Sequence, residues 1–176
     1  YSPDFIARYR IAQVERNNRI THWCHEELAR IERLGTNDRA FNVYRTWADP
    51  RLMDGNLDPS QREVGLCYAG DPKNANYSPR GIGLTNTLRT WLSMWSLSDS
   101  WCQADMHLPR ITVPSLVIQS DGDTGVFPSD AKTIYELLGA DDKHLEMIPG
   151  DHYLQEPRGA RDDVADMIDG WLSQRI

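Results

Sequence analysis

"SLVIQSDGDTGVFPSDA", residues 115–131, passes from a short apolar run into a turn-rich segment that carries three aspartates. Turn residues bound the apolar run at 116–118 on both sides, which predicts a buried strand rather than a helix. Asp121, Asp123 and Asp130 therefore follow the end of a strand. Proteins built on parallel sheets place functional side chains at this edge, so one of these acids is a candidate site residue.

The residues after this stretch alternate strictly between helix and strand patterns. A helix is predicted over 129–139, a strand over 143–148 and a closing helix after a turn, which is an α/β order. A crossover of this length predicts that the two strands are parallel neighbours in one sheet. The closing helix should bury one apolar face, formed by Val164, Met167, Ile168, Trp171 and Leu172.

The preceding part of the chain has a different pattern. Ser2, Pro3 and Asp4 predict a helix start, and helical spacing continues, as one helix or two, to a stop at Gly35. A strand is predicted over 40–49, irregular loop over 50–83 and an amphipathic helix over 85–97. The change of pattern predicts two regions: residues 1–108, mainly helical, and residues 109–176, part of a parallel-sheet core.

Composition and charge exclude several classes of function. The net charge of −7 offers no basic surface for nucleic acid, and no stretch is apolar and long enough for membrane insertion. The three cysteines lack the paired spacing of a zinc site or a disulfide framework, so we expect no metal. We expect free thiols, which favour a reducing compartment such as the cytoplasm; one disulfide with a third cysteine left over is the alternative.

His152 lies in the turn of "LEMIPGDHYL", residues 145–154, just after the second predicted strand. Since parallel strands end at one edge of a sheet, His152 and the aspartates of the first loop should meet there. A carboxylate beside an imidazole fixes its tautomer and stabilises the imidazolium, which prepares the histidine to act as a base. The alternative is that His152 only caps a turn.

These two stretches together resemble the C-terminal part of the α/β-hydrolase family. Val113-Pro114 introduces the strand, Asp123 precedes Pro128 in the exit loop, and Gly150-Asp151-His152 forms the turn after the next strand. The resemblance implies the C-terminal part of an α/β-hydrolase parallel sheet with a mainly helical cap region. It implies that His152 is the catalytic base and Asp123 its acid, with Asp121 as an alternative acid, and that no cofactor is needed.

The resemblance also implies a missing piece, because the family's nucleophile motif G-x-S-x-G does not occur in this sequence. We therefore expect the nucleophile on an N-terminal part of the same hydrolase, outside these residues, and a small-molecule ester, lactone or related acyl substrate. A dehalogenase, an epoxide hydrolase, an acyltransferase or a non-catalytic binding protein of the same fold is the alternative.

The resemblance further implies that residues 1–108 are the cap that this family inserts over its active site. Trp91, Met94 and Trp95 form a stripe at helical spacing and are candidate substrate-binding residues. The alternative, which helical spacing favours, is that they are core residues within the cap.

Overall fold

The computed structural model of the chain describes residues 1–44, 47–79 and 81–175. These residues form two compact units, each made of two chain segments. The first unit comprises Tyr1–Pro50 and Asp71–Ala104, and the second comprises Arg51–Gly70 and Asp105–Ile176. The predicted division at residue 108 into a cap and a core stays a prediction; in the structure, residues 51–70 belong to the second unit.

The first unit is built around one long helix, α1 (Pro3–Glu32). Its predicted start is confirmed, because the Ser2 Oγ accepts a hydrogen bond from the Phe5 backbone N–H at 3.2 Å. The helix runs without a break. Its C-terminal half packs against later segments in an apolar core that contains Cys24, Leu28, Ile31, Val43, Leu88 and Trp91.

Two short strands complete this core. β1 (Ala40–Asn42) pairs with β2 (Thr85–Thr87) in antiparallel register, with Ala40 opposite Thr87. A short helix, α2 (Pro72–Tyr77), lies between them in the sequence. The strand predicted over 40–49 is thus only three residues long, and its residues 45 and 46, like residue 80 of the predicted loop, lie outside the described residues.

The prediction of an amphipathic helix over 85–97 is wrong for its first residues, 85–87. Residues 85–87 extend to pair with β1, and only then does Thr87 cap α3 (Leu88–Thr90) by accepting from the Thr90 backbone N–H at 3.1 Å. A π-helical turn, Trp91–Trp95, follows directly. The pairing with β1 outweighs the helical spacing of the apolar residues.

The second unit contains the βαβα order that the sequence predicts. Its elements are β3 (Ser115–Ser120), α4 (Pro128–Leu137), β4 (Lys143–Ile148) and α5 (Ala160–Ser173). β3 and β4 pair in parallel, with Ser115 opposite Lys143 and Ser120 opposite Ile148. Short 3₁₀ turns occur at Pro50–Leu52, Gly55–Leu57, Ala104–Met106 and Leu108–Arg110.

The expected fold class, the C-terminal part of an α/β-hydrolase parallel sheet, is wrong for this structure. The chain is 47% helical, and its described residues form two sheets of only two strands each. A central parallel strand is buried on both faces, whereas residues 115–118 of β3 are only partly buried. Among the described residues before β3, the two strands are three residues long and pair antiparallel with each other, not with β3.

The apolar face of α5 is also less buried than its spacing predicts. Ala160 is the one buried residue among the described positions of this helix, while Ile168 and Leu172 are exposed. Within the described residues, no helix has the length and apolar character needed to cross a membrane.

Candidate active site

The ends of β3 and β4 bring two loops together in the second unit. The strands end opposite each other at Ser120 and Ile148, and the pairing continues as the Asp121 N–H donates to the Ile148 carbonyl at 2.8 Å. Next, the Gly122 N–H donates to the Gly150 carbonyl at 3.0 Å. A Cβ at position 122 would lie 2.6 Å from that carbonyl oxygen, so this close approach requires glycine.

Asp123 and His152, 29 positions apart in sequence, meet in these loops. The His152 Nδ1 lies 2.9 Å from Oδ1 and 3.0 Å from Oδ2 of Asp123. The aspartate side chain is 10% exposed and the histidine side chain 27% exposed. The carboxylate is thus largely shielded from water, whereas part of the imidazole remains open to it.

The rest of the acid loop fixes the position of this carboxylate. The backbone N–H groups of Gly125 and Val126 donate to the Asp123 Oδ1 at 2.6 and 3.0 Å. An aspartate that accepts hydrogen bonds from the backbone two and three residues later closes a tight local turn. Asp123 therefore shapes its own loop and orients the imidazole at the same time.

The other two aspartates of the stretch have different surroundings. The Asp121 backbone takes part in the loop pairing and accepts from the Gln61 N–H at 2.9 Å, but its carboxylate makes no hydrogen bond with the described residues. Asp130 lies in the first turn of α4, where its Oδ2 accepts from the Phe127 N–H at 3.1 Å. Its Oδ1 accepts from the Arg51 guanidinium at 2.8 Å. Of the three, only Asp123 contacts His152.

Two tyrosines surround the imidazole of His152. The Tyr68 ring stacks on it with centroids 4.5 Å apart and planes inclined by 12°. The Tyr153 ring meets the imidazole edge-on, with centroids 4.9 Å apart and planes at 82°. Burial, together with the neighbouring Tyr153 and Cys67, raises the pKa of the Tyr68 phenol above its usual value. The stack restrains the imidazole from turning away from the carboxylate.

Sequence reasoning missed Tyr68. This residue belongs to the irregular segment 51–70, whose composition gives no periodic signal. The one nearby residue whose type reflects the stacked pair is Gly125. A Cβ at that position would lie 2.7 Å from Tyr68 Cδ1 and 3.2 Å from His152 Nδ1. The acid loop thus leaves room for the stacked pair by having glycine at that position.

The turn that carries His152 is held by its own hydrogen bonds. The Asp151 Oδ1 accepts from the backbone N–H groups of Tyr153 and Gln155 at 3.1 and 2.8 Å. The Arg161 guanidinium donates twice to the Tyr153 carbonyl, at 3.1 and 2.9 Å. Asp151 therefore organises the turn and does not contact the imidazole, although it neighbours His152 in sequence.

The expected substrate-binding residues lie in the first unit. Trp91 is a core residue, 5% exposed, whose Nε1 donates to the Thr21 Oγ1 at 3.2 Å. Trp95 packs against the same core, while Met94 is 51% exposed. Trp91 and Trp95 thus have the surroundings of core residues, and a role of the three in substrate binding stays a prediction.

Among the residues that the structure describes, no serine, threonine or cysteine side chain is hydrogen-bonded to the imidazole. The His152 ring makes hydrogen bonds there only through Nδ1, both to Asp123, which leaves Nε2 without a partner. Ser120, at the end of β3, is buried and is not hydrogen-bonded to His152. Cys24 lies in the first unit, and burial raises the pKa of its thiol to about 11. Within the described ranges, no cluster of side chains is suited to a metal ion.

Comparison with protein-family models gives no match for this chain, and comparison with curated proteins gives none either.

Proposed function

We propose that the protein is a hydrolase that cleaves an ester, lactone or related acyl bond, with His152 as general base and then general acid. Asp123 orients the imidazole, and the nucleophile is a serine outside these 176 residues. The observation that carries the proposal is the double contact of the His152 Nδ1 with a shielded carboxylate, which leaves Nε2 without a hydrogen-bond partner among the described residues.

The protonation of the imidazole follows from this contact. A carboxylate only accepts hydrogen bonds, so the proton of the neutral ring lies on Nδ1 and the lone pair lies on Nε2. Nε2 can then remove the proton from a serine hydroxyl as the oxygen attacks the substrate carbonyl. The resulting imidazolium is stabilised by the adjacent Asp123 carboxylate.

The second half of the reaction uses the same atom. The imidazolium Nε2–H donates its proton to the leaving alkoxide, and a water molecule then repeats the attack on the acyl group. The Tyr68 ring supports both halves, because an aromatic face attracts a cation stacked on it and keeps the ring plane in register with Asp123. The order of acid and base in the sequence, which resembles that of α/β-hydrolases, supports acyl transfer as the reaction.

The proposal is tested by hydrolysis of p-nitrophenyl acetate by the complete protein. His152→Ala should lower turnover by about a million-fold, because a serine hydroxyl is a weak nucleophile without its base. His144→Ala is the matched control, since His144 is an exposed residue of β4 whose partner is Glu146. Equal activity of the two folded variants would contradict the proposal.

A further inference from the structure

The strand β3 ends with a buried glutamine that takes no part in the proton transfers described above. Gln119 lies one residue before the end of β3 and is 5% exposed. Burying a side-chain amide is unfavourable unless the amide finds hydrogen-bond partners. The partners of this amide therefore indicate what the residue does.

The Gln119 amide connects the two ends of the loop of residues 120–126, which carries Asp123. Its Nε2 donates to the Ser120 carbonyl at 2.7 Å and to the Val126 carbonyl at 3.2 Å. Both partners only accept hydrogen bonds, so the nitrogen end of the amide must face them, and its two N–H groups suffice for both. One buried side chain thus spans the whole loop.

The same two residues also bind Asp123. The Ser120 carbonyl accepts from the Asp123 backbone N–H at 3.4 Å, and the Val126 N–H donates to the Asp123 Oδ1 at 3.0 Å. Asp123 is therefore linked to both ends of the loop, and the Gln119 amide fixes the distance between those ends.

The other anchors of this loop hold only its first half. The N–H groups of Asp121 and Gly122 donate to carbonyls of residues 148 and 150, before the loop reaches Asp123. The bond to the Val126 carbonyl lies beyond Asp123 and ties the second half to β3. Without it, the Val126 N–H and the carboxylate oxygen that it binds are free to shift together.

Such a shift would act directly on the contact with the imidazole. The Asp123 oxygens lie 2.9 and 3.0 Å from the His152 Nδ1. A displacement of roughly 1 Å would take both distances outside the normal range of a hydrogen bond. The carboxylate would then no longer hold the imidazole proton on Nδ1.

We propose that Gln119 is a positioning residue that holds the Asp123 carboxylate against the His152 imidazole. It acts through the backbone of Ser120 and Val126, since its amide is hydrogen-bonded to neither member of the pair. Its effect on turnover rests on the proposed function, whereas its effect on the geometry of the pair does not.

The substitution Gln119→Met tests this role, because methionine is close to glutamine in size but has no N–H group in its side chain. Nitrogen NMR of the purified protein, with the His152 signals assigned by their loss in His152→Ala, reports which ring nitrogen carries the proton. We expect the proton on Nδ1 in the wild type and a mixture of the Nδ1 and Nε2 forms in Gln119→Met. In hydrolysis of p-nitrophenyl acetate by the complete protein, kcat should fall about a hundred-fold while KM changes little.

Gln103→Met is the matched control. Gln103 belongs to the first unit, and its Nε2 donates to the Leu97 carbonyl at 2.7 Å, so the same kind of hydrogen bond is lost in the other unit. This variant should keep the wild-type tautomer and kcat. If Gln119→Met does not fold, Gln119→Asn decides by the same measurements, because its shorter side chain cannot reach both carbonyls.

A folded Gln119 variant with the wild-type tautomer overturns the proposal even when its stability is lowered, because the glutamine would then support the loop without positioning the pair. Equal kcat of Gln119→Met and Gln103→Met in an active protein overturns it as well. A wild type that hydrolyses no ester contradicts the proposed function instead, and the tautomers of the two variants then still decide the role of Gln119.

Discussion

Replacing Asp123 by asparagine separates the two tasks of this carboxylate. The Oδ1 atom accepts from the Gly125 and Val126 N–H groups, so the asparagine oxygen should occupy that position and keep the loop closed. The amide NH₂ then takes the place of Oδ2, 3.0 Å from the His152 Nδ1. The asparagine oxygen would still lie 2.9 Å from Nδ1, but its two lone pairs already accept from the Gly125 and Val126 N–H groups. Since the amide nitrogen only donates, we expect Nδ1 to become the acceptor and the ring proton to move to Nε2.

The magnitudes follow from that rearrangement. With its proton on Nε2, the imidazole can no longer act as a base, and we expect turnover to fall by about ten-thousand-fold, as in other triads that lose this acid. The retained hydrogen bonds become neutral instead of charge-assisted, which should lower the free energy of unfolding by about 1–2 kcal/mol. That loss corresponds to a urea midpoint lower by about 0.5–1 M.

Nitrogen NMR of the imidazole checks the mechanism without an activity assay. The wild type should show the proton on Nδ1 and the Asp123→Asn variant the proton on Nε2. Asp121→Asn is the matched control two positions away, because the Asp121 carboxylate makes no hydrogen bond with the described residues. It should keep the wild-type tautomer and a stability within about 0.5 kcal/mol. Two results would refute the reasoning: a proton that stays on Nδ1 in Asp123→Asn, or a large loss of turnover in Asp121→Asn.

Four further substitutions test other contacts in the two units. Hydrogen bonds from Arg30 and then from Arg39 lower the pKa of Glu27 to about 2. The stability that the Glu27 carboxylate contributes is therefore present above about pH 4.3, its usual pKa, and is lost as the pH falls towards 2. Glu27→Gln should therefore flatten the loss of stability between pH 5 and pH 2 in urea titrations, and an unchanged slope would count against this ion pair. Gly125→Ala should displace Tyr68 from the imidazole and lower turnover. Gly170→Ala, whose Cβ would meet no atom within 4 Å in α5, should instead raise the free energy of unfolding by about 0.5–1 kcal/mol. A Gly125→Ala variant with wild-type turnover and an unmoved Tyr68 in its crystal structure would contradict the first of these two predictions. Asp130→Asn should cost about 1 kcal/mol of stability in thermal unfolding through the weakened start of α4 and leave turnover unchanged, and a large loss of turnover would show that this acid belongs to the site.

Much of the second unit can be predicted from local pattern. The apolar run before the aspartates and the run at 143–148 are strands, and their connecting segment is a helix, because turn residues bound each element. The parallel pairing follows from the helical crossover. Given that pairing, the proximity of Asp123 and His152 requires only that both loops leave the same edge of the sheet.

The extent of the sheet could not be predicted in this way. A strand pattern predicts which residues adopt an extended conformation, but the number of neighbouring strands in the sheet depends on segments elsewhere in the chain. The resemblance suggested a larger parallel sheet, whereas Thr85–Thr87 pairs antiparallel with Ala40–Asn42 instead. Tyr68 was missed for the same reason, since its stacking on His152 depends on how an irregular segment folds back and not on any local period.

Fluorophosphonate labelling of the complete protein, followed by mapping of the adduct, tests the central claim most directly. We predict an adduct on a serine outside residues 1–176 that is lost in His152→Ala and retained in the His144→Ala control, because only His152 is paired with Asp123. An adduct on Ser120 or any other serine of this chain, or labelling that persists undiminished in His152→Ala, would contradict the claim that the His152–Asp123 pair activates an external serine.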